Sequence, residues 1–247
     1  MKSHSMVMLR RNFKHIARNP VSVFNSILMP IFMLLMFVYM FGEAFSVGVD
    51  YVDYATPGLM LMAVCYGLGA TATAVNSDMT KGIINRFKVM DVSRGAVLNG
   101  HVITSVLTNV IAIAALVGVA FAMGFSPAAD LLDWLALAGI VILLGFAAGW
   151  LTIALGIAAK SPETAGMAAV PMVLLPFFSS AIVPADMMGP GLREFAKYQP
   201  FTPIIETMRG LLAGKPETGD TLTAVAWCLG IALVGYLWAR STFKKRA

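Results

Sequence analysis

Charged residues are scarce in this chain. Asp, Glu, Lys and Arg make up 13% of its 247 residues, whereas an ordinary soluble domain carries about 25%. Hydrophobic residues reach 58%. This composition excludes a conventional soluble domain, and it favours a protein whose main solvent is lipid.

Cysteine and histidine are also rare, with two and three residues respectively. Both cysteines, Cys65 and Cys228, lie within long apolar stretches, which argues against an extracellular disulfide framework. The sequence has no H-E-x-x-H motif, no paired carboxylates within its apolar stretches and no Cys/His cluster. It therefore offers no metal site and no catalytic constellation, and an intramembrane enzyme is only a distant alternative.

What the sequence has instead is six apolar stretches, each close to the roughly 20 residues that a helix needs to cross a hydrocarbon layer. They cover residues 24–41, 54–75, 102–123, 134–159, 164–182 and 222–239. Such a pattern predicts an all-α membrane protein with six transmembrane helices. We expect an interfacial segment over residues 1–20 and a six-span membrane domain over residues 21–247.

Positive charge is concentrated in alternate loops. If the N-terminus lies inside, the inside segments hold fourteen Lys and Arg residues against three acidic ones, and the outside segments hold four against ten. Because Lys and Arg accumulate on the cytoplasmic side of membrane proteins, both termini are predicted to be cytoplasmic. The net charge of +5 is then a topology signal and does not indicate nucleic-acid binding.

Two inside segments have an amphipathic pattern. Apolar residues recur at helical spacing among basic ones over residues 6–18, which predicts a helix in the anionic inner interface that ends at Pro20. Residues 81–90, after the second span, place Ile83, Ile84 and Phe87 on one helical face. That face could contact either lipid or a groove on a cytoplasmic protein, and the spacing does not decide between them.

The longest outer segment, residues 183–220, predicts a re-entrant structure. Thr202 can cap a helix that begins at Pro203, and Gly214 is placed to end it. Glu206 and Arg209 stand three residues apart on one face of this helix and can pair. Structural locking of the helix and contact with a transported molecule are both open for this pair.

Polar and aromatic residues within the spans are candidates for a transport pathway, because a polar group facing lipid would lack partners. The candidates near the inner half are Asn25, Thr71, Thr73 and Asn76. Phe177 and Phe178, beneath the outer segment, could form an apolar gate that closes by dewetting. Tight helix packing is the alternative explanation for each polar residue.

The order of these features resembles the ABC-2 type permeases, in particular the daunorubicin-resistance-like drug exporters. The resemblance covers nearly the whole chain and is most specific over residues 81–94 and over residues 199–214, QPFTPIIETMRGLLAG. The chain has Ile83-Ile84-Asn85-Arg86 where that family often has Thr-Leu-Glu-Arg, and Val92 where it often has proline.

The resemblance implies a permease subunit in a bacterial cytoplasmic membrane that moves amphipathic drug-like or lipid-like molecules outwards. It also implies two copies of an ABC ATPase, a second identical or related permease copy, and contact with membrane lipids. The sequence has no G-x-x-x-x-G-K-[ST] phosphate loop, so ATP and Mg²⁺ would be bound by the ATPase and no cofactor by this chain. An exporter of polysaccharide or another polymer is the alternative.

The same resemblance implies roles for two groups of residues. One group would couple the permease to its ATPase, through Arg10, Phe13, Lys81, Gly82, Ile83, Ile84, Arg86, Phe87, Met90 and Arg94. The other group, in the re-entrant helix, would form an outer gate with Pro203, Glu206 and Arg209.

Overall fold

The computed structural model describes residues 24–42, 48–80 and 94–246, and within these ranges every regular element is helical. A π-helical turn, Phe24–Leu28, leads into α1. The next helices are α1 (Met29–Phe41), α2 (Tyr51–Tyr66), α3 (Leu68–Thr80), α4 (Arg94–Ala122) and α5 (Leu131–Ala158). The all-α prediction is confirmed for the described residues. The predicted interfacial helix over 6–18 and the helix over 81–90 lie outside them.

Short helices follow α5. They are α6 (Pro162–Ala168), α7 (Val170–Leu174), two 3₁₀ turns (Leu175–Phe178 and Ala185–Met187), α8 (Leu192–Tyr198) and α9 (Phe201–Leu212), before the long α10 (Thr218–Arg246). The predicted span 164–182 is divided because Pro171 and Pro176 each lack the N–H that a continuous helix needs.

Four helical stretches in the described ranges have the length and composition to cross a membrane. They are Tyr51–Thr80 with 30 residues, Leu98–Ala122 with 25, and Leu131–Ala158 and Thr218–Lys245 with 28 each. They match the second, third, fourth and sixth predicted spans. The first and fifth match shorter apolar helices, Ser26–Phe41 and Pro162–Phe178. The fold is that of a helical membrane protein, and six complete crossings stay a prediction.

The two halves of the second span, α2 and α3, meet at Gly67, where the helix is interrupted. Buried side chains from two other elements face this break. A Cβ at Gly67 would lie 3.1 Å from Oδ1 of Asn109 in α4 and 3.7 Å from Oγ of Ser26 in the π-helical turn. Glycine therefore leaves the room that these polar groups occupy between the helices.

Helix α5 is the centre of the bundle and packs against α3, α4, α9 and α10. Helix α2 is buried along almost its whole length and contacts α1, α4 and α9. A main apolar core joins α2, α5 and α9, and a smaller one joins Val75, Leu98, Ile153 and Phe243 where α3, α4, α5 and α10 meet.

The loops are sorted between two ends of the bundle. At one end, the α9 end, the Ser126 backbone N–H donates to Asp53 Oδ1 (2.9 Å) and the Ala128 N–H donates to the Leu212 carbonyl (2.9 Å). These contacts join the three loops that charge predicts to be outside. At the opposite end, the α3 end, Asn76 binds the turn between α5 and α6.

Candidate functional site at the re-entrant helix

Residues 180–182 follow the 3₁₀ turn at Phe178 and are held against α2 at three points. The Tyr54 hydroxyl donates to the Ser180 carbonyl (2.9 Å), and the Tyr51 hydroxyl donates to the Ile182 carbonyl (3.1 Å). Between them, a Cβ at Gly58 would lie 2.3 Å from the Ala181 carbonyl oxygen. Only glycine permits this approach, because the atom it meets belongs to the backbone.

Arg209 of α9 joins these same elements. Its Nη2 donates to the carbonyls of Ser180 (2.9 Å) and Tyr54 (3.1 Å), and its Nη1 donates to Glu206 Oε1 (2.6 Å). The guanidinium carbon lies 3.8 Å from the centroid of the Tyr54 ring, which adds a cation–π contact. A guanidinium suits this position because its donors spread in a fixed fork. We call Tyr54, Ser180, Glu206 and Arg209 the outer lock.

The local sequence explains why the lock forms. Pro57 lies inside α2 and has no N–H to bond the carbonyl four residues earlier, so the helix is loosened beside Tyr54. In α9 the apolar residues Ile204, Ile205 and Met208 are fully buried, which fixes the rotation of the helix and turns Arg209 towards α2. The pairing of Glu206 with Arg209 follows from their i, i+3 spacing.

Two details of α9 differ from the sequence expectation. The helix begins at Phe201, so Thr202 lies in its first turn and does not cap it. The Thr202 hydroxyl instead accepts a hydrogen bond from the Ser180 N–H (3.3 Å), because residue 180 comes close only in the folded chain. At the other end, Gly214 has a φ of 65° directly after the helix, as expected of a terminating glycine.

The inner pathway candidates lie far from the outer lock, at or towards the α3 end. The fully buried Asn76 donates through Nδ2 to the carbonyls of Gly156 (2.9 Å) and Ala159 (2.8 Å), and Thr73 donates to the Pro162 carbonyl (3.2 Å). Thr71 donates within its own helix break, to the Gly67 carbonyl. These contacts are typical of helix packing. A place in a pathway stays a prediction for all three, and for Asn25, which lies in the π-helical turn.

The two phenylalanines of the predicted gate differ in exposure. Phe177 is partly buried against the main core, whereas 47% of the Phe178 surface is exposed. The Phe178 carbonyl accepts a hydrogen bond from Gln199 Nε2, which ties the gate segment to the start of α9. The structure thus brings Phe178 close to the outer lock but does not join either ring to the inner candidates.

Most of the predicted coupling residues, including Arg10, Phe13 and all of those between Lys81 and Met90, lie outside the described residues. Arg94 is the first residue of α4. Among the described residues, no group of three or more His, Cys, Asp or Glu side chains is arranged to hold a metal ion.

Sequence reasoning did not identify Tyr54 or Ser180 as site residues. Two signals could have indicated Tyr54: it lies three residues after Tyr51 at the start of a span, where aromatic residues anchor helices, and three residues before Pro57. No local signal marks Ser180, because its backbone carbonyl is the group that binds.

The fold and the site define a helical membrane protein in which Arg209 holds α9 against α2. The sequence comparisons name the family. Residues 4–213 match the model of the ABC-2 type transporter family, so the chain belongs to that family.

Two curated relatives support the same family assignment. The daunorubicin resistance ABC transporter permease protein DrrB1 of Streptomyces coeruleorubidus is 30% identical over 223 residues, which is 90% of this chain and 75% of the relative. The "Probable doxorubicin resistance ABC transporter permease protein DrrC" of Mycobacterium tuberculosis is 23% identical over 235 residues, or 94% of this chain and 85% of the relative. Both relatives are bacterial permease proteins of ABC transporters.

Proposed function

We propose that the chain is the permease subunit of an ABC exporter that moves amphipathic drug-like or lipid-like molecules out across the bacterial cytoplasmic membrane. The observation that carries the proposal is the family match over residues 4–213 together with the drug-resistance names of both relatives. Those names favour a small molecule over a polymer as the transported substance.

In this proposal a separate ABC ATPase binds and hydrolyses ATP with Mg²⁺. The ATPase would contact the amphipathic segments over residues 6–18 and 81–90, which the topology prediction places in the cytoplasm. Closure of the two ATPase copies would push on these segments, and the permease helices would rock between inward-facing and outward-facing states.

Two permease copies would form the pathway at their shared seam. The seam is proposed along α1 and α6, where large apolar side chains are exposed, among them Phe32, Tyr39 and Met167. These side chains face either lipid or a second copy, and an apolar seam with few charges suits amphipathic molecules better than small ions.

The outer lock would hold the exit closed. Arg209 binds α2 and the segment at Ser180 at once, so the re-entrant helix cannot swing away from the second span unless these bonds break. Phe178, next to this segment, would face the exit. Release of a molecule to the outside would therefore require the Arg209 contacts to Tyr54 and Ser180 to open.

Purification of the complex tests the proposal. The tagged permease, isolated in detergent and identified by mass spectrometry, should carry a P-loop ATPase, and reconstituted complexes should move an amphipathic probe such as doxorubicin only with ATP. A permease that transports without an ATPase would contradict the proposal.

A substitution in the amphipathic segment tests the coupling part. Phe87→Asp should leave membrane insertion intact and abolish stimulation of ATP hydrolysis by the transported probe, because it places a charge on the apolar face. Asn85→Asp introduces the same residue on the opposite face and is the matched control, with stimulation expected within about twofold of the wild type. Wild-type stimulation in Phe87→Asp would remove the predicted helix over residues 81–90 from the mechanism.

A further inference from the structure

A buried hydrogen bond between an aspartate and a histidine lies at the α3 end. Nε2 of His101 in α4 is 3.1 Å from Oδ2 of Asp78 in α3, and both residues are buried. An ionised carboxylate can only accept, so the histidine ring donates. Removal of either partner would break the hydrogen bond that links the two helices at this point.

The pair lies at the ends of α3 and α4 that flank residues 81–93. Asp78 lies two residues before α3 ends at Thr80, and His101 is the eighth residue of α4, which begins at Arg94. The pair therefore clamps together the two helices from which the segment 81–93 emerges. In the proposed function this is the segment that the ATPase pushes.

The same end of α3 is also fastened to the turn between α5 and α6. Asn76 donates to the Gly156 and Ala159 carbonyls, and Thr73 donates to the Pro162 carbonyl. A Cβ at Gly156 would lie 2.7 Å from the Ala72 carbonyl oxygen, so the α3 and α5 backbones are in close contact. A displacement of α3 at this end would therefore also move α5, the helix on which most of the bundle packs.

We propose that Asp78 and His101 are positioning residues for transport: their pair makes the inner ends of α3 and α4 move as one body, so that displacement of the segment 81–93 reaches α5 through Asn76. Neither residue contacts nucleotide or the transported molecule. Loss of the pair would let α4 slip against α3, and ATP hydrolysis would continue without the matching movement of the bundle. The inference rests on the proposed function, because it assigns the segment 81–93 to the ATPase.

Three substitutions in α4 test it in the reconstituted complex with the co-purified ATPase. His101→Phe fills the site without a donor and should lower doxorubicin transported per ATP hydrolysed at least fivefold, with the bound ATPase and its basal hydrolysis within twofold of the wild type. His101→Gln keeps an N–H donor and should restore most of the transport ratio. Thr104→Val is the control, because this buried hydroxyl bonds only the Gly100 carbonyl of its own helix among the described residues (2.7 Å).

A wild-type transport ratio in H101F would overturn the inference, as would equal losses in H101F and H101Q. Absence of ATP-dependent transport in the wild-type complex is a different result, because it would contradict the proposed function itself.

A covalent bridge provides a second test, because it replaces the hydrogen bond by a covalent link between the same two positions. Cysteines at positions 78 and 101, in a chain with Cys65 and Cys228 replaced by alanine, are joined by a short bifunctional maleimide, and the bridge is verified by mass. The unbridged double-cysteine complex lacks the pair and should transport poorly. Because the helix ends are inferred to stay together through the cycle, bridging should restore doxorubicin transported per ATP hydrolysed to within about twofold of the chain that keeps Asp78 and His101 but lacks Cys65 and Cys228. A bridged complex that transports no better than the unbridged one would overturn the inference even if H101F fails to insert.

Discussion

At the scale of single residues, Arg209 links three parts of the described chain: α2, the segment at Ser180 and its own helix α9. A charged side chain beside the membrane is tolerated when it binds backbone carbonyls and its charge is countered. Arg209 meets this condition through Glu206, two carbonyl oxygens and the Tyr54 ring. An ammonium group cannot reproduce this geometry, because its three donors do not form a planar fork.

We therefore expect Arg209→Lys to destabilise the protein. Loss of a hydrogen bond that involves a charged group costs about 1.5–3 kcal/mol, which corresponds to a fall of several degrees in Tm for a chain of this size. Thermal unfolding of the purified protein in detergent measures the change. An unchanged Tm would show that the outer lock contributes little to the fold.

Lys197→Ala is the matched control at this scale. Lys197 pairs with Asp186 at 2.8 Å, but both side chains are largely exposed, so water screens the pair and Tm should not change measurably at neutral pH. The hydrogen bond from Lys197, and then its charge, lower the pKa of the Asp186 carboxyl. Any stabilisation from the pair is thus present at neutral pH and is lost as the pH falls through the folded-state pKa of Asp186.

At the scale of elements, the contact between α2 and residues 180–182 positions α9. This contact is backbone against backbone at Gly58 and Ala181, with a tyrosine hydroxyl on each side. Two segments that are more than 120 residues apart in sequence therefore act as one packed unit.

Gly58→Ala should separate these elements. The added methyl would lie 2.3 Å from the Ala181 carbonyl oxygen, which belongs to the backbone and cannot rotate away as a side chain could. Overpacking of this kind costs about 1–3 kcal/mol. Thermal unfolding again measures the loss. Gly139→Ala in α5 is the control, because a Cβ there meets no atom within 4 Å and improves helix propensity. Equal Tm values for the two variants would contradict the close approach at Gly58.

At the scale of the whole molecule, the contacts support an alternation of loops between the two ends of the bundle. Loops predicted to be outside meet at the α9 end, and the turn predicted to be inside meets α3 at the other. The bundle does not indicate which end faces the cytoplasm. That assignment depends on the distribution of Lys and Arg.

Single-cysteine labelling in intact cells tests the orientation. In a chain without Cys65 and Cys228, cysteines at positions 50 and 130 should react with a membrane-impermeant maleimide from outside. Cysteines at positions 94 and 160 should react only after the cells are opened. The wild-type chain is a useful control, since both native cysteines are buried and should label poorly. The reverse pattern would invert the topology.

Crosslinking tests the assembly. Phe32 in α1 and Leu233 in α10 have equal exposure, 59% each, but only α1 belongs to the proposed seam. Phe32→Cys should yield crosslinked dimers in membranes and Leu233→Cys should not, because α10 would face lipid. Dimers from Leu233→Cys alone would move the seam to the other side of the molecule.

Part of this architecture could be predicted because it depends on neighbours in sequence. Apolar length predicted the long helices, and i, i+3 spacing predicted that Glu206 and Arg209 can pair. The full length of the first and fifth spans, and the roles of the inner polar residues, could not be obtained in this way. The sequence does not distinguish a polar side chain that packs between helices from one that lines a pathway.

The sequence by itself determined that this chain is a helical membrane protein, where its long helices lie and to which family it belongs, because hydropathy and motif spacing are properties of contiguous residues. The tertiary structure decided which groups meet: Arg209 with the Tyr54 carbonyl across 155 positions, Tyr54 with Ser180 across 126, and Asp78 with His101 across 23. Such pairs form only when packed helices fix their mutual rotation and depth. No local sequence pattern encodes that geometry, because each group finds its hydrogen-bond partner in a distant part of the chain.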